Sequence, residues 1–162
     1  MKNINQYIIE KLKITKNQKT EHTLFPKDLH ELDEMIKKEI NQNGNNCSLN
    51  HIDVSKIDNM RMLFYFSDFN GDISEWDVSH VTNMSNMFAR SSFNNDSISN
   101  WDVSNVKDMS GMFSYSNFNQ DISSWDVSNV VYMMHMFDRS KFDQDISGWD
   151  VSNVQDAGSV RR

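Results

Sequence analysis

Residues 121–137 read DISSWDVSNVVYMMHMF, and the phrase recurs along the chain. Residues 72–88 read DISEWDVSHVTNMSNMF, residues 96–113 read DSISNWDVSNVKDMSGMF, and DISGWDVSNV at 145–154 starts it again. Trp76, Trp101, Trp125 and Trp149 stand 25, 24 and 24 residues apart. Phe88, Phe113 and Phe137 close the phrase, and Phe93, Phe118 and Phe142 follow five residues later. A degenerate copy precedes these, with Ile52-Asp53-Val54-Ser55, then DNMRMLF ending at Phe64, then Phe69. The single 25-residue step has a local cause, one extra residue (Ser97, after Asp96).

A unit of this length cannot bury its own apolar face, but stacked copies can share a continuous core. Residues 50–154 therefore read as a solenoid of about four and a half coils. Trp76 and Val78 alternate with Asp77 and Ser79, the period of a short strand. Val81, Met84, Met87 and Phe88 follow the stripe of a short helix or 3₁₀ turn, which Asn105, Asn129 and Asn153 are placed to cap in later copies. The expected coil is strand, capped helical turn, loop and next strand, wound right-handed. The expected fold class is α/β: a parallel sheet on one side, helical turns on the other and an α-helical cap before them.

The phrase FNxDISxWDVSNVxxMxxMF resembles the BspA-like repeat of bacterial surface proteins, also found in mycoplasma lipoproteins. The spacing Ile-x-x-Trp-x-Val is similar to the L-x-x-L-x-L core of leucine-rich repeats. The resemblance spans residues 50–154 and implies adhesion or recognition at a bacterial or host surface.

Of eleven methionines and ten phenylalanines, nine of each lie in the repeats with all four tryptophans, and the one proline lies outside them. The net charge of −7 argues against general binding to nucleic acid or anionic lipid, whose phosphates are held by Lys and Arg. The charge is uneven: residues 1–49 hold eight lysines and seven carboxylates, so the excess of acid belongs to the repeats. One cysteine, Cys47, excludes an internal disulfide framework. No apolar run approaches a membrane span. The start, MKNINQYIIEKLKI, is too charged for a secretory signal, so a cytoplasmic location is expected, against the cell-surface location that the resemblance implies.

The two domains expected are a helical cap over 1–49 and the solenoid over 50–162. Ile4, Ile8 and Leu12 suggest a first amphipathic helix. Pro26 opens a second with Leu29, Leu32, Ile36 and Ile40 on one face, stopped at Asn43-Gly44. At the other end the last copy runs into QDAGSVRR, where Ala157 and Val160 stand in for Met and Phe. An open apolar end predicts end-to-end association of copies, or a loose tail.

The candidate partner-binding residues are Asp53, Asp77, Asp102, Asp126 and Asp150, one per coil on the outward face. Carboxylates stacked at strand spacing repel by about 0.8 kcal/mol per pair in bulk-water dielectric. Two readings follow: each Asp accepts a backbone N–H in the following serine turn, or the stripe awaits a cationic partner. Asp72, Asp96, Asp121 and Asp145, just before each strand, read as turn chemistry. The Met and Trp ladders read as core, not as a binding groove or a stacking platform. No cofactor or metal is expected: the five histidines do not repeat, and no calcium-loop or phosphate-loop motif is present. Cys47 and His51 form a lone i, i+4 pair, weak grounds for a nucleophile. The function expected is a non-catalytic protein–protein recognition module. The alternative is an acidic mimic of DNA that inhibits a nucleic-acid-binding protein.

Overall fold

The computed structural model describes residues 20–156. The expected first helix around Ile4, Ile8 and Leu12, and the tail carrying Ala157 and Val160, lie outside the described residues. The second helix forms as expected: α1 spans Leu29–Asn43, with Asp28 capping its start by accepting the Glu31 N–H. Gly44 (φ 83°) ends α1, and its N–H returns to the Ile40 carbonyl. Leu32 and Ile36 bury their face of α1 in the same continuous core as the repeats. Two further segments flank the first coil: Leu24 makes a parallel bridge to Ile52, and the Leu49 N–H donates to the Asp72 carbonyl.

The repeats stack with identical side chains directly above one another. Phe64, Phe88, Phe113 and Phe137 form one column, with ring centroids 5.4, 5.7 and 5.8 Å apart and planes within 5°. Phe69, Phe93, Phe118 and Phe142 form a second, at 6.2 Å intervals. The two columns touch within each coil, as at Phe113–Phe118 (4.2 Å). Met84, Met109 and Met133, Met87, Met112 and Met136, and all four tryptophans face inward with them. Aromatic rings stacked in an offset manner gain beyond their buried area, so each coil supplies part of its neighbour's core.

The described residues do not form the expected sheet, and the stretches read as helical turns are not helical. Among the described residues, parallel pairing is limited to isolated bridges, and those of the repeats join Asn59, Asn83, Asp108, Tyr132 and Asp156, inside the stretch read as helical. The Trp-Asp-Val-Ser stretch read as a strand is instead a corner of tight turns. The Asp77 carboxylate accepts the Ser79 N–H, and the Val78 carbonyl accepts the Val81 N–H. A corner built this way turns every second residue inward just as a strand does, so the period of two does not separate them.

The Val81–Phe88 stretch follows another rule. In the first coil the N–H groups of Met60, Met62, Phe64 and Phe66 donate to the carbonyls of Asn83, Ser85, Met87 and Ala89 in the next, at 2.8 to 3.1 Å. The N–H groups between them, on Leu63, Tyr65 and Ser67, fold back to carbonyls three residues earlier. Met84, Asn86, Phe88 and Arg90 repeat the pattern toward the third coil, and Met109, Gly111, Phe113 and Tyr115 toward the fourth. Every second peptide group thus lies along the stacking direction with the same sense. This geometry places two residues per coil, four apart, at positive φ: Met62 and Phe66, Asn86 and Arg90, Gly111 and Tyr115, His135 and Arg139. A third residue at positive φ is what a type II turn requires, and such residues interrupt a right-handed helix. The spacing of three in the Met stripe comes from these turns.

The extra residue before Trp101 is absorbed by a 3₁₀ turn, Asp96–Ile98. Asn95 takes the role that Asp72 plays before Trp76, accepting the Ser97 N–H as Asp72 accepts the Ser74 N–H.

Candidate functional site

The five candidate aspartates come together as turn residues. Asp53, Asp77, Asp102, Asp126 and Asp150 each accept the N–H of the serine two positions later. Asp77, Asp102, Asp126 and Asp150 are exposed and Asp53 is half-buried. Hydrogen bonds from that serine hold the carboxyls of Asp53, Asp126 and Asp150 below the usual range, the backbone N–H foremost for Asp53 and Asp150 and the hydroxyl for Asp126. The charge of Asp126 opposes this at Asp150, so the stacked carboxylates do sense one another. The second set behaves alike at Asp72, Asp121 and Asp145, whose carboxylates take the N–H of Ser74, Ser123 and Ser147.

Asn105, Asn129 and Asn153 do not cap a helical turn. Their amides donate to the carbonyls of Ser79, Ser104 and Ser128, one coil back, and form an external ladder beside the aspartates. An inner ladder runs through the indoles: Trp76, Trp101, Trp125 and Trp149 donate to the carbonyls of Leu49, Ile73, Ile98 and Ile122. A buried indole N–H without such a carbonyl would be costly. The tryptophans are therefore fully used in holding coil to coil.

At the junction of α1 with the repeats, His51 Nε2 lies 3.5 Å from Glu39 Oε2, and His22 Nδ1 lies 3.8 Å from Asp53 Oδ2. Cys47 is half-buried; burial first, and the Glu39 charge second, push its thiol up. That shift works against the thiolate a nucleophile needs. Among the described residues, no group of three or more His, Cys, Asp or Glu side chains is placed to hold a metal ion, and no helix is long and apolar enough to cross a membrane.

The feature not anticipated from the sequence is a trough on the face formed by residues 61–66 and their counterparts. In the first and fourth coils outward positions flank two inward ones, whereas Ser85 and Ala89 in the second coil and Gly111 in the third are buried. In the first coil Arg61 and Met62 face out, Leu63 and Phe64 in, Tyr65 and Phe66 out. Stacking this pattern leaves a furrow between two ridges. A cleft of about 380 Å³ opens in it, lined by Asn86, Gly111, Ser114, Tyr115, His135 and Asp138 among others. Gly111 creates the room: a β-carbon there would stand 2.5 Å from the Asn86 side-chain oxygen. Tyr115 lies between two guanidiniums, with Arg90 Cζ 4.6 Å and Arg139 Cζ 5.4 Å from its ring centre. A second cleft, of about 420 Å³, opens on the same face where Arg61, Met62 and Leu63 meet Leu29, His30 and Asp33 of α1. The signal for this face was visible in the repeat itself. Positions 62, 86, 111 and 135 hold Met, Asn, Gly and His, and positions 66, 90, 115 and 139 hold Phe, Arg, Tyr and Arg, while the inward columns hardly change.

Comparison with curated proteins and with solved structures finds no match. A family model described as "Mycoplasma protein of unknown function, DUF285" matches twice, over residues 27–116 and 90–160. The first match opens just before α1, and together the two take in the helix and every coil. With most of its length matched and its copies stacked in register, the chain belongs to this family of leucine-rich-repeat-like proteins.

Proposed function

We propose that the protein is a non-catalytic recognition module whose stacked coils present a fixed surface to a protein partner. The observation that carries this reading is the division of labour within the repeat. Inward and turn-forming residues recur nearly unchanged, whereas the outward positions of the trough differ from coil to coil. A scaffold held by ladders of hydrogen bonds loses little freedom on binding, which favours affinity at a pre-formed face. The likeness of the phrase to BspA-like repeats supports a partner at a bacterial or host surface, with adhesion as the biological setting.

A second reading draws on the exposed aspartates. Stacked at regular intervals, they form a row of charges of the kind an acidic mimic of DNA would offer to a basic cleft. Asn59, Asn83 and Asn95 accept the same turn bond that Asp accepts elsewhere. The triple substitution Asp77→Asn, Asp102→Asn, Asp126→Asn therefore removes charge while keeping the corners.

The experiment is saturable binding of the full chain to membrane-protein and soluble fractions of a mycoplasma and of its host cells, with the bound protein identified by mass spectrometry and rebound in purified form. A purified protein that binds with one-to-one saturation supports the recognition reading. Failure of every rebound candidate to saturate overturns it. Binding to a nucleic-acid enzyme, weakened by salt and lost in the triple variant, selects the second reading.

A further inference from the structure

The geometry points to the trough as a docking site for an extended acidic peptide, with Arg90 and Arg139 each taking a carboxylate. This rests on the recognition reading above and gives it a surface and a partner chemistry.

The argument begins with charge. Acidic side chains outnumber basic ones by 23 to 16 in the chain, so an arginine that forms no ion pair needs a reason, the more so where Asp138 and Asp33 line the two clefts without pairing with one. Arg61, Arg90 and Arg139 are all the arginines among the described residues, and all three stand on the trough face. None of them forms an ion pair with another described residue. Arg90 and Arg139 are also held in place: each lays its guanidinium over one face of Tyr115. A guanidinium stacked on a ring keeps its N–H edges directed away from the ring, ready for the two-pronged bond that matches a carboxylate.

Spacing selects the form of the ligand. Arg90, Tyr115 and Arg139 occupy one column on three successive coils, and the neighbouring phenylalanine column steps by 5.7 and 5.8 Å over the same coils. The two guanidiniums are thus about two coil steps apart. A polyproline-II chain brings residues i and i+3 to the same side at a rise of ~9 Å, close to that separation. Glutamates three residues apart reach both forks, while the side chains between them meet the Tyr115 edge and the exposed Met134. The polar floor and walls at Asn86, Ser110 and Ser114 offer partners to the peptide backbone, which a polyproline-II chain leaves unpaired.

The test is an amide NMR titration of the intact chain with the peptide Glu-Pro-Pro-Glu-Pro-Pro-Glu, and with the forms carrying Gln or Lys in place of Glu. The Glu peptide is expected to shift Gly111, Ser114, Tyr115 and His135, and the Gln peptide to bind at least tenfold more weakly. Arg90→Gln with Arg139→Gln should weaken the Glu peptide at least tenfold with the dispersion of the spectrum unchanged. Arg90→Lys with Arg139→Lys, which keeps charge and loses the fork, should fall between. Absence of shifts at the trough at millimolar peptide, or shifts that survive the double Gln variant, overturn the proposal. So does a sulfated oligosaccharide that moves the same amides at lower concentration than the peptide. Shifts confined to the aspartate corners and caused by the Lys peptide overturn the trough and leave the recognition reading standing, since that reading fails only if no rebound partner saturates.

Discussion

The indole N–H of Trp101 donates to the carbonyl of Ile73, one coil earlier, at 3.2 Å, and both groups are buried. Trp101→Phe would remove the donor and leave the carbonyl with the Trp76 N–H alone. A hydrogen bond lost in this way costs about 0.5–1.5 kcal/mol, to which the lost ring area adds. Urea unfolding should show a fall of about 1–3 kcal/mol. Trp125→Phe should match it, because its bond to Ile98 is equivalent. Trp149→Phe should cost less, as Trp149 is the most exposed of the four.

Gly71 packs against the Cys47 carbonyl so closely that a β-carbon would collide with that backbone oxygen. The same position holds Asn95, Gln120 and Gln144 in later copies, where the side-chain amides reach back to the previous coil. Gly71→Ala must push the segment before Leu49 away from the first coil. The expected loss is about 2–3 kcal/mol, read by thermal unfolding. Gly148→Ala, which meets nothing within 4 Å, is the matched control and should be nearly neutral.

His80 sits in the column of Asn105, Asn129 and Asn153, and its buried Nε2 has no hydrogen-bond partner. His80→Asn restores the repeat's own residue, whose amide would reach toward the Ser55 carbonyl by the register of the later copies. Removing an unsatisfied nitrogen and adding a bond should stabilise the chain by about 1 kcal/mol, visible as a raised unfolding midpoint in urea.

The aspartate corners make stability depend on acid in a stated direction. Turn bonds hold the carboxyls of Asp53, Asp121, Asp126 and Asp150 below their usual range. Ionised carboxylates at these sites favour the folded chain above about pH 4, the unfolded value. That contribution disappears as pH falls through the lower folded values. The quadruple Asp→Asn variant lacks that contribution, so its unfolding midpoint should lie below the parent's at pH 7 and the gap should close as pH falls below about 4. Asp126→Ala, which removes the acceptor itself, should lower the midpoint at both pH values.

Phe66 holds a positive φ of 56° and is 74% exposed. A bulky side chain pays about 1 kcal/mol for that conformation, and asparagine pays less. With little burial to lose, Phe66→Asn should raise stability by about 0.5–1 kcal/mol in urea unfolding.

The repeat made the core legible. Trp76, Met84, Phe88 and Phe93 recur at one interval, and a side chain that recurs in a stack must meet its own copy. Helix α1 was legible too, since Leu32 and Ile36 share a helical face and Asp28 and Gly44 carry the end signals. The strand at Trp76–Val78 and the helical turn at Val81–Phe88 were misread for one reason. Periods of two and three describe which side chains turn inward and do not say where the peptide N–H groups go. Asp77 takes one of them into a corner, and Met84 sends its own across to the next coil.

The amino-acid sequence alone determined that this chain is a stack, which residues fill it, and that its excess acid lies on the repeats. Only the tertiary structure decided that Arg90 and Arg139 lie over the Tyr115 ring and that Gly111 opens a cleft beside them. The repeat interval puts Arg90, Tyr115 and Arg139 in one register, but it does not say that this register turns outward or that the side chains touch. They meet because the backbone hydrogen bonds between coils set them one above the next.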